Sequence, residues 1–131
     1  MTPSLRILLI EDDLIIATEL QAELEDAGHL VIGIVRDLTE ALKLIKTVPP
    51  DIALVDITLA NKEDAGIRIA REILDRHWMP FIYLTAHSDT DIVEMASKTA
   101  PAAYIFKPYR IAELLVQIRL ASENFEKITL F

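Results

Sequence analysis

Side chains able to do chemistry recur at four places in this chain, each directly behind a short apolar run. Glu11, Asp12 and Asp13 follow Leu5–Ile10, and Asp56 follows Ile52–Val55. Thr85 follows Phe81–Leu84, and Lys107, with Pro108 behind it, follows Ala103–Phe106. Should the runs lie side by side, these carboxylates, the hydroxyl and the ammonium meet. Carboxylates ~5 Å apart at an effective dielectric near ~20 repel by roughly 3 kcal/mol per pair, so such a gathering calls for a cation. Oxygen donors with room for waters suit Mg²⁺. Taken singly, each residue also has a plain role. Asp12 or Asp13 can cap a helix, Asp56 can serve a turn, Lys107 can neutralise Asp56, and Thr85 can be an ordinary strand residue. The argument for a site rests on their conjunction at several strand ends.

The elements that must position them follow from the apolar pattern. Leu5–Ile10, Leu30–Val35, Ile52–Val55, Phe81–Leu84 and Ala103–Phe106 are short, nearly continuous apolar runs, the signature of strands buried on both faces of a parallel sheet. Between them apolar residues recur at helical spacing. Ile16, Leu20, Leu24 and Ala27 stripe the first helix, with Gly28 placed to stop it. Leu38, Leu42 and Ile45 stripe the second, and Gly66, Ile69, Ala70 and Ile73 the third. Ile92 and Ala96 mark a short, thinly patterned fourth, and Ile111, Leu114, Leu115, Ile118 and Phe125 a fifth. Strands alternating with helices predict an α/β fold, a (βα)5 doubly wound five-stranded parallel sheet of flavodoxin-like order 2-1-3-4-5. Its working edge lies beyond the carboxyl ends of the strands, where the order reverses beside the first strand.

Composition narrows the classes further. Residues 1–131 fit one domain, with a core over about 5–125 and 126–131 as a tail or the start of a linker to an output domain. The chain has no cysteine, which rules out disulfides and thiolate metal sites and fits a cytoplasmic setting. No apolar run is long enough for a spanning helix, so no membrane role is expected. With 13 basic and 21 acidic residues the net charge is −8, which disfavours direct nucleic acid binding.

The set Glu11-Asp12-Asp13, Asp56, Thr85-Ala86 and Lys107-Pro108 resembles the receiver domain of two-component response regulators, in order and spacing, from about Arg6 to Phe125. The resemblance implies that Asp56 is the phosphoacceptor and that Asp12, Asp13, Asp56 and the Thr58 backbone carbonyl hold Mg²⁺. It implies that Thr85 and Lys107 contact the phosphoryl oxygens and that Tyr104 is the switch aromatic, turning inward as Thr85 moves. Thr58 and His87, each two positions beyond a key residue, would tune phosphoryl lifetime. An exposed loop histidine and a half-buried edge aromatic are the plain readings of His87 and Tyr104. The donor implied is a phosphohistidine on a sensor histidine kinase or phosphotransfer protein. The output would be a change in the surface of the fourth helix, fifth strand and fifth helix, through which a homodimer can form. A carboxylate nucleophile suits aspartyl phosphate formation, and the protein would be a self-modifying switch rather than a turnover enzyme.

Some features depart from that pattern. The segment from Asp56 to Gly66 is two residues longer than the commonest spacing, Ala60 stands where a proline is frequent, and Thr99-Ala100-Pro101-Ala102 lacks the usual glycine. His29 and His77 read as loop or helix-end residues, and the tail Lys127–Phe131 is apolar. Three other readings stay open. A Mg²⁺-dependent phosphatase would need a second aspartate where Thr58 stands. A flavin or nucleotide carrier would need a phosphate cradle where three acids stand. A pseudo-receiver would bind partners without phosphorylation.

Overall fold

The computed structural model describes residues 3–58, 65–76, 79–86 and 90–129. The strands are β1 (Arg6–Ile10), β2 (Leu30–Val35), β3 (Ile52–Asp56), β4 (Phe81–Thr85) and β5 (Ala103–Phe106). The helices are α1 (Leu14–Asp26), α2 (Leu38–Thr47), α3 (Ala65–Arg76), α4 (Thr90–Ser97) and α5 (Ile111–Thr129). All strand pairs are parallel and the order is β2-β1-β3-β4-β5, the doubly wound arrangement the alternation predicts.

Side-chain alternation along the strands divides the core in two. Leu8, Ile10, Ala53, Val55, Phe81 and Tyr83 pack under α2, α3 and α4 through residues such as Ala41, Ile45, Ile67, Ile73 and Ile92. Ile7, Leu9, Ile52, Leu54, Ile82 and Leu84 pack under α1 and α5 through Leu20, Leu24, Leu114 and Ile118. The central strands β3 and β4 are buried at every position, as continuous apolar runs require. The outer strands are not. Leu30 on β2 and Phe106 on β5 are about half exposed, because an outer strand has a neighbour on one side only.

One local expectation is corrected. Ile16 is exposed, and the buried stripe of α1 is Ala17, Leu20 and Leu24. Residues 126–129 continue α5, and Leu130 and Phe131 lie outside the described residues. His29 lies in the loop behind α1, as its position predicts, and is buried there, its Nδ1 accepting a hydrogen bond from the Leu5 backbone N–H at 3.1 Å. Gly28 does end α1, with the positive φ of 97° that a left-handed helix terminus needs.

Candidate functional site

The carboxyl ends of β1, β3, β4 and β5 share one edge of the sheet, and the register aligns Ile10 with Val55, Asp56 with Leu84 and Thr85 with Phe106. Chain direction alone therefore brings the residues that follow these strands together. Asp56 is 8% exposed, and both of its oxygens are engaged. The Thr58 backbone N–H donates to Oδ1 at 3.0 Å, and the Lys107 ammonium donates to Oδ2 at 2.9 Å. The Lys107–Pro108 peptide is cis. Gly66 lets the first turn of α3 sit directly on the end of β3. A Cβ there would collide with the Asp56 carbonyl oxygen and stand 2.7 Å from the Ile57 Cα.

The three consecutive acids divide their work. Asp13 is the N-cap of α1: its Oδ1 accepts from the backbone N–H groups of Ile15 at 3.0 Å and Ile16 at 3.2 Å. Glu11 is buried and hydrogen-bonds to the Asp56 side chain, while its Oε1 accepts from the Asp13 N–H at 3.1 Å. Burial pushes the Glu11 carboxyl up to about 8. The hydrogen bond to Asp56 and that residue's charge push the same way, against the pull of the Lys107 ammonium and the Asp13 N–H. Asp12 is exposed beside them. The structure thus puts Glu11, rather than Asp13, against the Asp56 carboxyl group. A capping signal in the sequence was sufficient to separate them: an aspartate directly before the helical run Leu14-Ile15-Ile16 is where an N-cap belongs.

The donor set suits a hard divalent ion, because two carboxyls buried side by side have an electrostatic need that a cation fills. Among the described residues no three His, Cys, Asp or Glu side chains are already gathered as a metal cluster. Under Asp56 a cavity of about 10 Å³ is lined by Glu11, Leu54, Lys107 and Tyr109 among others.

Thr85 closes β4 and is 1% exposed. Tyr104 lies on β5, its ring 6.0 Å from that of Tyr83 and 5.1 Å from that of Phe106. Its hydroxyl is buried next to Thr85; burial, the larger cause, raises its pKa above the ordinary tyrosine value, and the Thr85 side chain pulls the other way. The ring already points inward. His87, the residues of the long segment over 59–64, and His77 lie outside the described residues.

A parallel five-stranded sheet of this order, flanked by five helices and with Asp56 and Lys107 paired at its switch point, is the architecture of the CheY-like signalling class. The chain belongs to the response regulator receiver domain family, whose model matches residues 7–119. It is 34% identical over 124 residues to the transcriptional regulatory protein PdtaR of Mycobacterium tuberculosis, covering 95% of this chain and 60% of that one. It is 34% identical over 116 residues to the phyllosphere-induced regulator PhyR of Methylorubrum extorquens, covering 88% of this chain and 42% of that one. The chain therefore spans about half the length of the curated relatives it matches. Among solved structures, the receiver domain of a modulated diguanylate cyclase from Desulfovibrio desulfuricans superposes with a TM-score of 0.85 at 29% identity, covering 95% of this chain and 98% of that one. A CheY-like receiver domain protein from Methanospirillum hungatei gives 0.82 at 27% identity, with the same coverage. The family is one of signalling switches rather than turnover enzymes. No described helix is long and apolar enough to cross a membrane.

Proposed function

We propose that Asp56 accepts a phosphoryl group from a phosphohistidine on a partner kinase or phosphotransfer protein, in a Mg²⁺-dependent reaction, and that the modification resets the surface of α4, β5 and α5. The observation that carries this reading is the Asp56 carboxylate held between the Lys107 ammonium and the Thr58 N–H, beside the buried Glu11. An Asp56 oxygen attacks phosphorus as the phosphorus–nitrogen bond breaks, and the departing imidazole takes the electron pair. Lys107 and the Thr58 N–H keep the nucleophile aimed and offset charge on the phosphoryl oxygens. Glu11, Asp12, Asp56 and the Thr58 backbone carbonyl would hold Mg²⁺, with Asp13 left to its capping role. The ion supplies charge neutralisation between the carboxylates and the phosphoryl oxygens. Thr85 and Tyr104 then respond to the new oxygens, and Thr58 and His87 tune how long the acyl phosphate lasts. A cytoplasmic setting and an output segment in a longer natural chain go with this role.

The lack of a ready three-carboxylate cluster among the described residues favours, as a second reading, an interaction module that works without phosphorylation. One experiment separates the two. The domain is incubated with acetyl phosphate with and without Mg²⁺, and intact mass is recorded. One added phosphoryl group that requires Mg²⁺ and vanishes in Asp56→Asn supports the phosphoacceptor. No addition at any donor concentration supports the interaction module.

A further inference from the structure

Among the described residues Tyr83 is the bulkiest side chain buried without exposure, and the Asp56 chemistry leaves it without a role. It lies two residues before Thr85 on the same face of β4 and directly opposite Tyr104 in the β4–β5 register. A phenol in an apolar core is costly unless its hydroxyl is bonded. Here it meets the Thr99 hydroxyl at 2.6 Å. The direction of that bond can be worked out. The Thr99 hydroxyl has one proton, and it goes to the Ala96 carbonyl at 2.6 Å. The Tyr83 hydroxyl is therefore the donor to Thr99. Burial, the larger cause, lifts its pKa to about 12 despite that bond, so it stays a neutral donor at every physiological pH.

The two bonds form a chain from β4 to the last turn of α4. α4 spans only Thr90–Ser97, and among its described side chains Ile92 and Ala96 are the buried ones. The segment behind it bends away through Ala100, whose φ of 56° is unusual for a residue with a Cβ. The ring of Tyr83 also takes the edge of Tyr104 at an interplanar angle of 64°, next to Thr85.

Resting on the proposed role of Asp56, we infer that Tyr83 is the positioning residue that couples Thr85 and Tyr104 to the C-terminal turn of α4, through its hydrogen bond to Thr99. Movement of Tyr104 changes what the Tyr83 ring leans on, and the hydroxyl passes that change to α4. The ring alone, without the hydroxyl, fills the core but cannot pass it on.

The test compares the full chain with Tyr83→Phe and Thr99→Val by amide hydrogen exchange, read by NMR, with and without Mg²⁺ and beryllofluoride. Without ligand, both variants should exchange roughly tenfold faster at the Thr99 and Ala100 amides, the size expected for losing one buried hydrogen bond. Amides of β1 and β3 should keep their protection, which separates the effect from general loss of stability. In the wild type, beryllofluoride should change exchange at Thr99 and Ala100, and in Tyr83→Phe most of that response should vanish while Ile57 and Thr58 still report binding. Unchanged exchange in both variants, or a full beryllofluoride response in Tyr83→Phe, overturns the inference. Ile57 and Thr58 amides that ignore beryllofluoride in the wild type count against the Asp56 reading itself.

Discussion

Replacing Glu11 by Gln should flatten the dependence of stability on pH in metal-free buffer. The Glu11 carboxyl rises from 4.5 to about 8 on folding, for reasons of burial and of the Asp56 carboxylate beside it. The folded chain therefore holds this proton more tightly than the unfolded chain does. Between those two values the native state binds more protons, so the stability the shift contributes is fully present below pH 4.5 and gone above about 8. At about 1.4 kcal/mol per pKa unit the whole shift sets a ceiling of roughly 5 kcal/mol. Because Glu11 is not isolated but lies against the Asp56 carboxyl and the Lys107 ammonium, we expect about half of it, on the order of 2–3 kcal/mol. Glutamine keeps the shape and can still donate to Asp56, but it never ionises. Urea unfolding followed by far-UV circular dichroism, with EDTA at pH 5, 6.5 and 8, should show the variant gaining on the wild type by that amount from the lowest to the highest pH. Millimolar Mg²⁺ at pH 8 should then raise the wild-type midpoint more than the variant's. Parallel curves for the two proteins would refute the electrostatic account of the site.

Other substitutions probe the frame around it. His29 is buried with Nδ1 accepting from the Leu5 N–H, and burial lowers its pKa from 6.5. Its contribution is thus intact above pH 6.5 and shrinks as the pH falls below it. His29→Gln should remove that acid sensitivity while costing about 1 kcal/mol at pH 7.5, measured by urea unfolding. Gly66→Ala should destabilise the chain by more than about 2 kcal/mol and slow labelling of Asp56, because the new methyl meets backbone at the end of β3. Gly33→Ala should cost less by the same unfolding assay, since its methyl meets the flexible Leu44 side chain. Ala100→Gly should stabilise the fold by about 0.5–1 kcal/mol through relief of the positive φ, read as a raised melting temperature.

Much of this molecule was legible in its residues, for identifiable reasons. β3 and β4 read clearly because burial on both faces leaves no polar interruption. The strand ends followed from those runs, and with them Asp56, Thr85 and Lys107. The division of labour among Glu11, Asp12 and Asp13 was harder. A shift of one residue at a strand end turns a side chain from the site toward solvent, and apolar periodicity does not resolve a single residue. The helix cap was the available cue. His29 was opaque because its partner, Leu5, lies 24 residues away, so only tertiary structure pairs them. The Tyr83–Thr99 bond spans 16 residues and hides for the same reason. The left-handed backbone at Ala100 ran against the rule that such positions take glycine.

At the centre of the account is a single bond, the acyl phosphate on the aspartate that closes β3. The most direct measurement is to treat the Mg²⁺- and acetyl-phosphate-loaded chain with borohydride, which reduces an aspartyl phosphate to homoserine, and to sequence the peptides by mass spectrometry. Homoserine at position 56 alone, and only when Mg²⁺ was supplied, is the predicted result. Homoserine at position 12 or 13, or a chain that yields none, would contradict it.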